Sequence, residues 1–571
     1  MIDFDPSNTA TTVVSPPPPL QRVDLTTDEA TTATPQTEIL SSIVTTETPG
    51  RFEATIGRAL IDSSIKAINP ATNDIIGEIP VSNKSTVSAK VEESRKAFLS
   101  WSQLSIKERA GYLQKVYDLI VKKNEIAKTI TQNNGKPRPE SNLAEIAATL
   151  QNMEYFIANG QKLLKDKRVP LDLLYASRKS KLTYEPYGVV GLIQPWNYPF
   201  YLPMAAITKA LIAGNTVVFK PSENTPLVGK LIEDLFKEAC FPSGVLNVVH
   251  GDGKTGAALI EENLDKVVFT GSVEVGKKIA VKCAERLIPV SLELGGKDPA
   301  IVLKDLKEDS DIDYAARSIL WGAFTNSGQA CASIKRVYVE KEIYDRFLER
   351  LIELKNKLHV GNSENDYIDI GPIINKAQFE KIQAHLEAAK AEGATIHGGL
   401  VLERGGGYFL EPVILTGVNH SMKTMKEEIF GPVLSVMKVE DDEEAIELAN
   451  DTEYGLAANI FTKDIKKADV IARKLKAGTV WINDPLFLQA HPATPWKGYK
   501  NSGYGGNGTI HDFVKPKHIS IERLPFSFLH QWQFPYKGKA KLFSNLTDVL
   551  FGTSIKARAK GIIDVVSSFF K

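Results

Sequence analysis

Apolar side chains along this chain follow two periods, and the places where one gives way to the other mark its elements. The run Ile68-Asn-Pro-Ala-Thr-Asn-Asp-Ile-Ile-Gly-Glu-Ile-Pro80 predicts two short strands about a turn, with breakers at Asn69-Pro70 and Asn73-Asp74. Helical spacing follows over 85–100, 105–124 and 140–164. Residues 181–187 alternate in polarity, as an exposed strand does. The next stretch, Gly188-Val-Val-Gly-Leu-Ile-Gln194, is a continuous apolar run and predicts a strand covered on both faces. Strands over 216–219, 245–249 and 266–269 then alternate with helices ending at Cys240 and Glu262. That rhythm predicts a parallel sheet joined by crossover helices. A second cycle has strands at 336–339, 433–438, 457–461 and 478–482, with helices at 342–358, 376–392, 443–450 and 465–475. The chain reads as two α/β lobes that meet near 293–296.

Both ends depart from this pattern. Residues 1–55 are rich in Thr, Pro and Ser, with consecutive prolines from Pro16 to Pro19, and bury too little apolar surface to offset their ordering entropy. A disordered tail is expected there. Beyond residue 525 apolar residues return at helical spacing: Leu542, Phe543, Leu546, Val549 and Leu550, then Ile562, Ile563, Val566, Phe569 and Phe570. Lys537, Lys539, Lys541, Lys556, Arg558 and Lys560 make this segment, 526–571, basic. Such a composition suits helices lying on an anionic membrane surface. Helices packed on the protein's own body or on a sister subunit would carry the same stripe, so both readings stay open.

The 571 residues are too many for one ordinary core. Lys and Arg number 69, as do Asp and Glu, so bulk charge favours no nucleic-acid partner. Three cysteines without a CxxC pair argue against a disulfide framework and a zinc site, and no metal is expected. No uninterrupted apolar run approaches membrane-spanning length, and no basic segment precedes an apolar run at the start. A cytoplasmic protein is expected, with any membrane association resting on the tail.

Cys240 and Cys283 lie in helical runs and read as small core or helix-face residues. Cys331 differs, because Ser327, Gly328, Gln329, Ala330, Ala332 and Ser333 crowd it with small and polar neighbours that leave a substrate room to approach. Pro195-Trp196-Asn197-Tyr-Pro199 follows a buried strand, where α/β sheets place ligand groups, and an Asn amide there can donate to an oxyanion. Phe219-Lys220-Pro-Ser222-Glu223 also follows a strand, with a lysine and a carboxylate placed to grip ribose hydroxyls. Phe269-Thr-Gly271-Ser272-Val-Glu-Val-Gly276 is a strand, a glycine turn and a helix start, suited to a phosphate. Glu293-Leu-Gly-Gly-Lys297 sets a carboxylate against a glycine pair, and Glu427-Glu428-Ile-Phe430-Gly-Pro432 offers another carboxylate and an aromatic. Each of these, taken singly, is equally a turn, a cap or a solvated loop charge.

In this order and at these separations the motifs resemble the aldehyde dehydrogenase superfamily, from about Asn69 to Gly505. The resemblance implies an α/β fold with a Rossmann-type dinucleotide-binding domain (56–167 and 187–293), a catalytic domain (294–504) and an oligomerisation arm (168–186 and 505–525). It implies Cys331 as nucleophile, Glu293 as general base and Asn197 as oxyanion donor. Trp196, Lys220, Ser222, Glu223, Gly271, Ser272, Glu428 and Phe430 would hold the cofactor. Glu223 would repel a 2′-phosphate, which favours NAD over NADP, and Glu293 favours hydrolysis to a free acid over transfer to coenzyme A. The family usually forms dimers or tetramers.

The sequence departs from the family near Pro495-Trp-Lys-Gly-Tyr-Lys-Asn-Ser-Gly503, where proline-phenylalanine-glycine-glycine is common. Leu486, Phe487, Leu488 and Trp496 are apolar and would line an entrance or belong to the core. The expected substrate is a medium- or long-chain apolar aldehyde: fatty, terpenoid or apocarotenoid. The alternatives are a small polar semialdehyde or amino aldehyde, and an inactive scaffold or membrane-docking protein, against which the intact Asn197, Glu293 and Cys331 argue.

Overall fold

The structure, a computed structural model, describes residues 63–172, 175, 177–486, 491–506, 508–525 and 534–569. The segment 1–55, Phe487 and Leu488 lie outside them, as do the first residues of the basic tail.

The uninterrupted apolar run becomes β1 (Val189–Ile193), the middle of a six-stranded sheet. All five of its residues are buried because alternate side chains enter opposite cores. Val190 and Leu192 join Met204 and Ile207 of the helix Tyr201–Ile212, while Val189 and Ile193 join Val87 and Val91 of the helix Lys84–Trp101. Beside β1 lie β2 (Thr216–Lys220) and then β3 (Leu246–Val248). On its other side lie β4 (Lys266–Thr270) and β5 (Val290–Glu293), all parallel, with Gly503–Tyr504 as an antiparallel edge. The order β3-β2-β1-β4-β5 changes direction between β1 and β4. A crevice opens there at the strands' carboxyl ends, where open α/β sheets take their ligands.

The second sheet follows at once. Its strands are β6 (Asp298–Val302), β7 (Ile334–Glu340), β8 (Thr395–Gly398), β9 (Val413–Thr416), β10 (Val433–Val439), β11 (Ala457–Phe461) and β12 (Thr479–Ile482), ordered β8-β9-β10-β7-β6-β11-β12. Only β8 pairs antiparallel. The segments just before β7 and β10 line the same cavity as the segments just after β1, β4 and β5. One lobe offers strand ends and the other strand beginnings. A separate three-stranded antiparallel sheet joins Lys167–Val169, Arg178–Pro186 and Val514–Glu522, in register from Val514 opposite Pro186 to Glu522 opposite Arg178.

Three local expectations need correction. Sequence reasoning placed no element at the helix Glu125–Asn134; its Thr and Asn residues are poor helix formers, and burial of Ile126 and Ile130 holds it instead. The predicted helix 140–164 starts at Arg138 and carries a π-helical stretch, Ser141–Ala147. Cys240 is exposed rather than in the core: its helix ends at Glu238, and Cys240 takes the left-handed position of a Schellman cap, with Phe241 N–H donating to Phe236 O at 3.2 Å. Cys283 is buried as expected.

Candidate active site

Cys331 is presented by an unusual turn. The helix Asp309–Phe324 stops, and Asn326, Ser327 and Gly328 then take consecutive positive φ values of 52°, 56° and 70°. Left-handed backbone costs a non-glycine residue roughly 1–2 kcal/mol. Side-chain bonds oppose that cost: Asn326 Nδ2 donates to Asn197 O at 2.9 Å, and Ser327 Oγ donates to Gly371 O at 2.9 Å. Gly328 admits no side chain, since a Cβ would lie 2.2 Å from Gly431 O. The glycine pair after Glu293 has a related task. A Cβ on Gly296 would fall 2.6 Å from Cys331 O, so the lobes meet this closely only because it is absent.

Trp196, Asn197, Gly271, Ser272, Glu293, Cys331, Glu428 and Phe430 line one cavity of about 200 Å³. Sequence reasoning named all eight. Ser272 caps the helix Val273–Glu285, its Oγ accepting from Val275 N–H at 3.4 Å, so Gly271 and Ser272 bring a helix amino terminus to the wall. Glu428 accepts from Gly296 N–H at 3.1 Å and lies 3.3 Å from Lys335 Nζ. Phe430 has φ 60°, its carbonyl accepts from Gln378 Nε2 at 2.9 Å, and its ring meets Trp196 edge to face, 5.5 Å between centroids. Lys220, Ser222 and Glu223 stand apart from this cavity, at the end of β2. Lys220 Nζ pairs with Glu223 at 2.9 Å, and Ser222 Oγ accepts from Asn224 N–H at 3.3 Å. A helix start, a glycine turn and two carboxylates along one crevice fit a dinucleotide. Among the described residues no group of three or more His, Cys, Asp or Glu gathers to hold a metal.

Burial sets the electrostatics. It pushes the Cys331 thiol up to about 12, with the Lys335 ammonium opposing. It also pushes the Glu293 carboxyl up to about 8, aided by Asp512 and opposed by Lys209. Among the described residues nothing bonds the buried Oε2 of Glu293. Glu293 also lines a second cavity, about 120 Å³, with Lys209 and Asp512. The stacked pair Trp481 and Trp496 brings Trp496 to that cavity.

A third cavity, about 330 Å³, shares Cys331 and is mostly apolar, with Leu143, Ala147, Tyr201, Trp321 and Leu486 among its walls. Ala147 and Leu143 come from the π-helical stretch, a local widening often found at functional sites. Cys331 therefore faces two cavities: one suited to a cofactor, one to an apolar molecule.

Sequence reasoning missed the support behind Asn197. Lys136 Nζ donates to Asn197 O at 2.8 Å and to Glu145 Oε1 at 2.6 Å, both side chains fully buried. The other oxygen of Glu145 accepts from Phe200 and Tyr201 N–H at 3.1 and 2.7 Å. The cluster Asn133-Asn134-Gly135-Lys136-Pro137 was the available signal, but a lone lysine there reads as solvated. Lys136→Met would leave the buried Glu145 carboxyl without its cationic partner. Denaturant unfolding should show a loss of about 3–5 kcal/mol, and turnover should fall in the protein that remains folded.

The model of the aldehyde dehydrogenase family matches residues 59–519. A 4,4'-diapolycopene aldehyde oxidase from Methylomonas sp is 37% identical over 496 residues, covering 86% of this chain and 92% of that protein. A chloroplastic betaine aldehyde dehydrogenase from Atriplex hortensis is also 37% identical, covering 81% of this chain and 94% of that protein. Among solved structures, the NAD+ complex of an aldehyde dehydrogenase from Bacillus cereus superposes with a TM-score of 0.77 at 36% identity, covering 81% of this chain and 93% of that one.

Proposed function

The chain belongs to the aldehyde dehydrogenase family, and on that premise we propose that it oxidises a medium- or long-chain apolar aldehyde to the carboxylic acid with NAD. The observation that carries this reading is Cys331 lining both the cavity that brings Ser272, Glu293 and Glu428 together and the mostly apolar one beside Leu143 and Trp321. An aldehyde entering past Leu143 and Trp321 brings its carbonyl to Sγ with its chain against apolar walls. Glu293 takes the thiol proton, since a thiol held near 12 supplies little thiolate by itself. Sγ bonds the carbonyl carbon, and the Asn197 amide with the Cys331 N–H receives the oxyanion. Bound NAD supplies the acceptor for the hydride. Loss of that hydride leaves a thioester on Sγ, and Glu293 gives the thiol proton up to solvent. A carboxylate again, it takes a proton from the attacking water and returns it to the departing thiolate, which releases the acid and restores the thiol. The second cavity, which reaches Glu293 beside Lys209 and Asp512, is the natural store for this water. Trp196, Gly271, Ser272, Glu428 and Phe430 hold the cofactor, and Lys220, Ser222 and Glu223 hold its far ribose.

The residues 56–167 and 187–293 serve as the dinucleotide-binding domain and 294–504 as the catalytic one. The sheet of 168–186 and 505–525 joins subunits into dimers or tetramers. The substrate class is in keeping with the apocarotenoid aldehyde oxidase among the relatives, and the enzyme works in the cytoplasm at a lipid surface. NADH formation across linear aldehydes of increasing length tests this: efficiency should climb steeply with apolar length, and a preference for short charged aldehydes would contradict it. Ala147→Phe should fill part of the apolar cavity. It should lower kcat/KM for the longest good substrate by about 10-fold or more, in the range of 1–3 kcal/mol of lost pocket contact, while leaving a two-carbon aldehyde little affected.

A further inference from the structure

The C-terminal helices present a feature the chemistry does not use. Ala540–Phe551 and Ile555–Phe569 fold back on each other, close enough that a Cβ on Gly561 would meet Val549 Cγ2 at 2.9 Å. Leu542 and Asn545 are buried on the first helix and Gly561 on the second. The second helix turns a different side outward. Ile555, Ile562 and Val566 recur at intervals of seven and four, one stripe at 100° per residue, with Ile563 beside them. All four are exposed, Ile555 by 88% and Ile563 by 68%, and Phe551 at the end of the first helix by 70%. Lys556 and Lys560 border this stripe on one side and Arg558 on the other. Apolar residues left in water with cations along both edges match the two layers of a bilayer interface: acyl chains below, anionic headgroups at the rim.

We propose that this face of Ile555–Phe569 docks the enzyme flat on an anionic lipid bilayer. Cations along both edges of an exposed apolar stripe fit that occupant, which meets the stripe with acyl chains and the cations with anionic headgroups. The described tail 534–569 carries Lys537, Lys539, Lys541, Lys556, Arg558 and Lys560 against only Asp548 and Asp564, an excess of cations that the rest of the chain balances with carboxylates. A sister subunit, whose remaining residues carry the opposite excess, is the rival occupant that the subunit count tests. The helix cannot cross instead: at 15 residues it is roughly 22 Å long, short of the roughly 30 Å of hydrocarbon, and among the described residues no helix is long and apolar enough to span. The inference names the partner at the lipid surface proposed above and rests on that reading for its purpose, while its test does not depend on turnover.

The test is cosedimentation of the full chain with vesicles of phosphatidylcholine alone or with phosphatidylserine added. Wild-type protein should partition to the anionic vesicles and leave them at high salt. Ile562→Asp/Ile563→Asp should lower that partition by at least tenfold, and Lys556→Glu/Lys560→Glu by roughly fivefold or more per cation. Both variants should keep wild-type turnover of a water-soluble short aldehyde, which shows that they fold. Equal partition of wild type and the Asp pair, or no wild-type binding to anionic vesicles, overturns the proposal. A changed subunit count in the Asp pair without vesicles, read by sedimentation, also overturns it and assigns the face to a second copy. Failure of the chain-length series with intact vesicle binding would sink the substrate reading alone.

Discussion

Cys331→Ala is expected to lower aldehyde-dependent NADH formation by on the order of 10⁴-fold or more, with folding preserved. The size follows from what Sγ does. It supplies the bond that holds the carbonyl carbon while hydride leaves, and neither neighbour can replace it: Ser327 is buried with its Oγ donated to Gly371 O, and Ser333 is buried with its Oγ donated to Ala330 O at 2.9 Å. The substitution removes one sulfur atom from a wall shared by two cavities and disturbs no hydrogen bond of the preceding turn, so the melting temperature should move little. NAD binding, read by quenching of tryptophan fluorescence, should survive because Gly271, Ser272 and Glu428 are untouched. Cys240→Ala, at an exposed helix cap, is the matched control and should be silent.

Glu293→Gln is the second large effect, with turnover expected to drop roughly 10²- to 10⁴-fold. Its pH signature is more specific than its size. With the carboxyl pushed up to about 8 by burial and by Asp512, only the ionised minority is a base at neutral pH. Wild-type kcat should therefore rise about tenfold per pH unit below 8 and level off above it. Glutamine has the same shape and nothing to titrate, so its profile should lose that rise. An unchanged slope in Glu293→Gln would assign the titration to another group. Asp512→Asn removes a negative charge that raises the Glu293 carboxyl, so it should shift the profile to lower pH.

What could be read from the chain divides along a physical line. Motifs whose meaning is local were legible: Gly271 and Ser272 sit between a strand and a helix in the sequence as in the fold, and Glu293 with the pair Gly295-Gly296 stands at the lobe boundary in both. The eight residues of the cofactor cavity come from five separate segments, and only their joint order suggested that they meet. Groups whose role comes from long-range burial were not legible. Lys136 and Glu145 are nine residues apart and look like surface charges, yet both are fully buried behind Asn197. The helix Glu125–Asn134 has weak propensity and is stabilised by tertiary contacts that no local pattern reveals. Cys240 was misplaced because helical spacing continues through it, while the backbone had already turned at a Schellman cap. Lys220 and Glu223 occupy the expected strand end but pair with each other.

Intact-protein mass spectrometry of Glu293→Gln, mixed with NAD and a long apolar aldehyde and quenched in acid, tests the proposed chemistry most directly. With deacylation slowed, the predicted result is a mass increase equal to the acyl group, carried by the peptide that contains Cys331. An unmodified protein that still formed NADH, or an adduct on Cys240 instead, would contradict a thioester at Cys331.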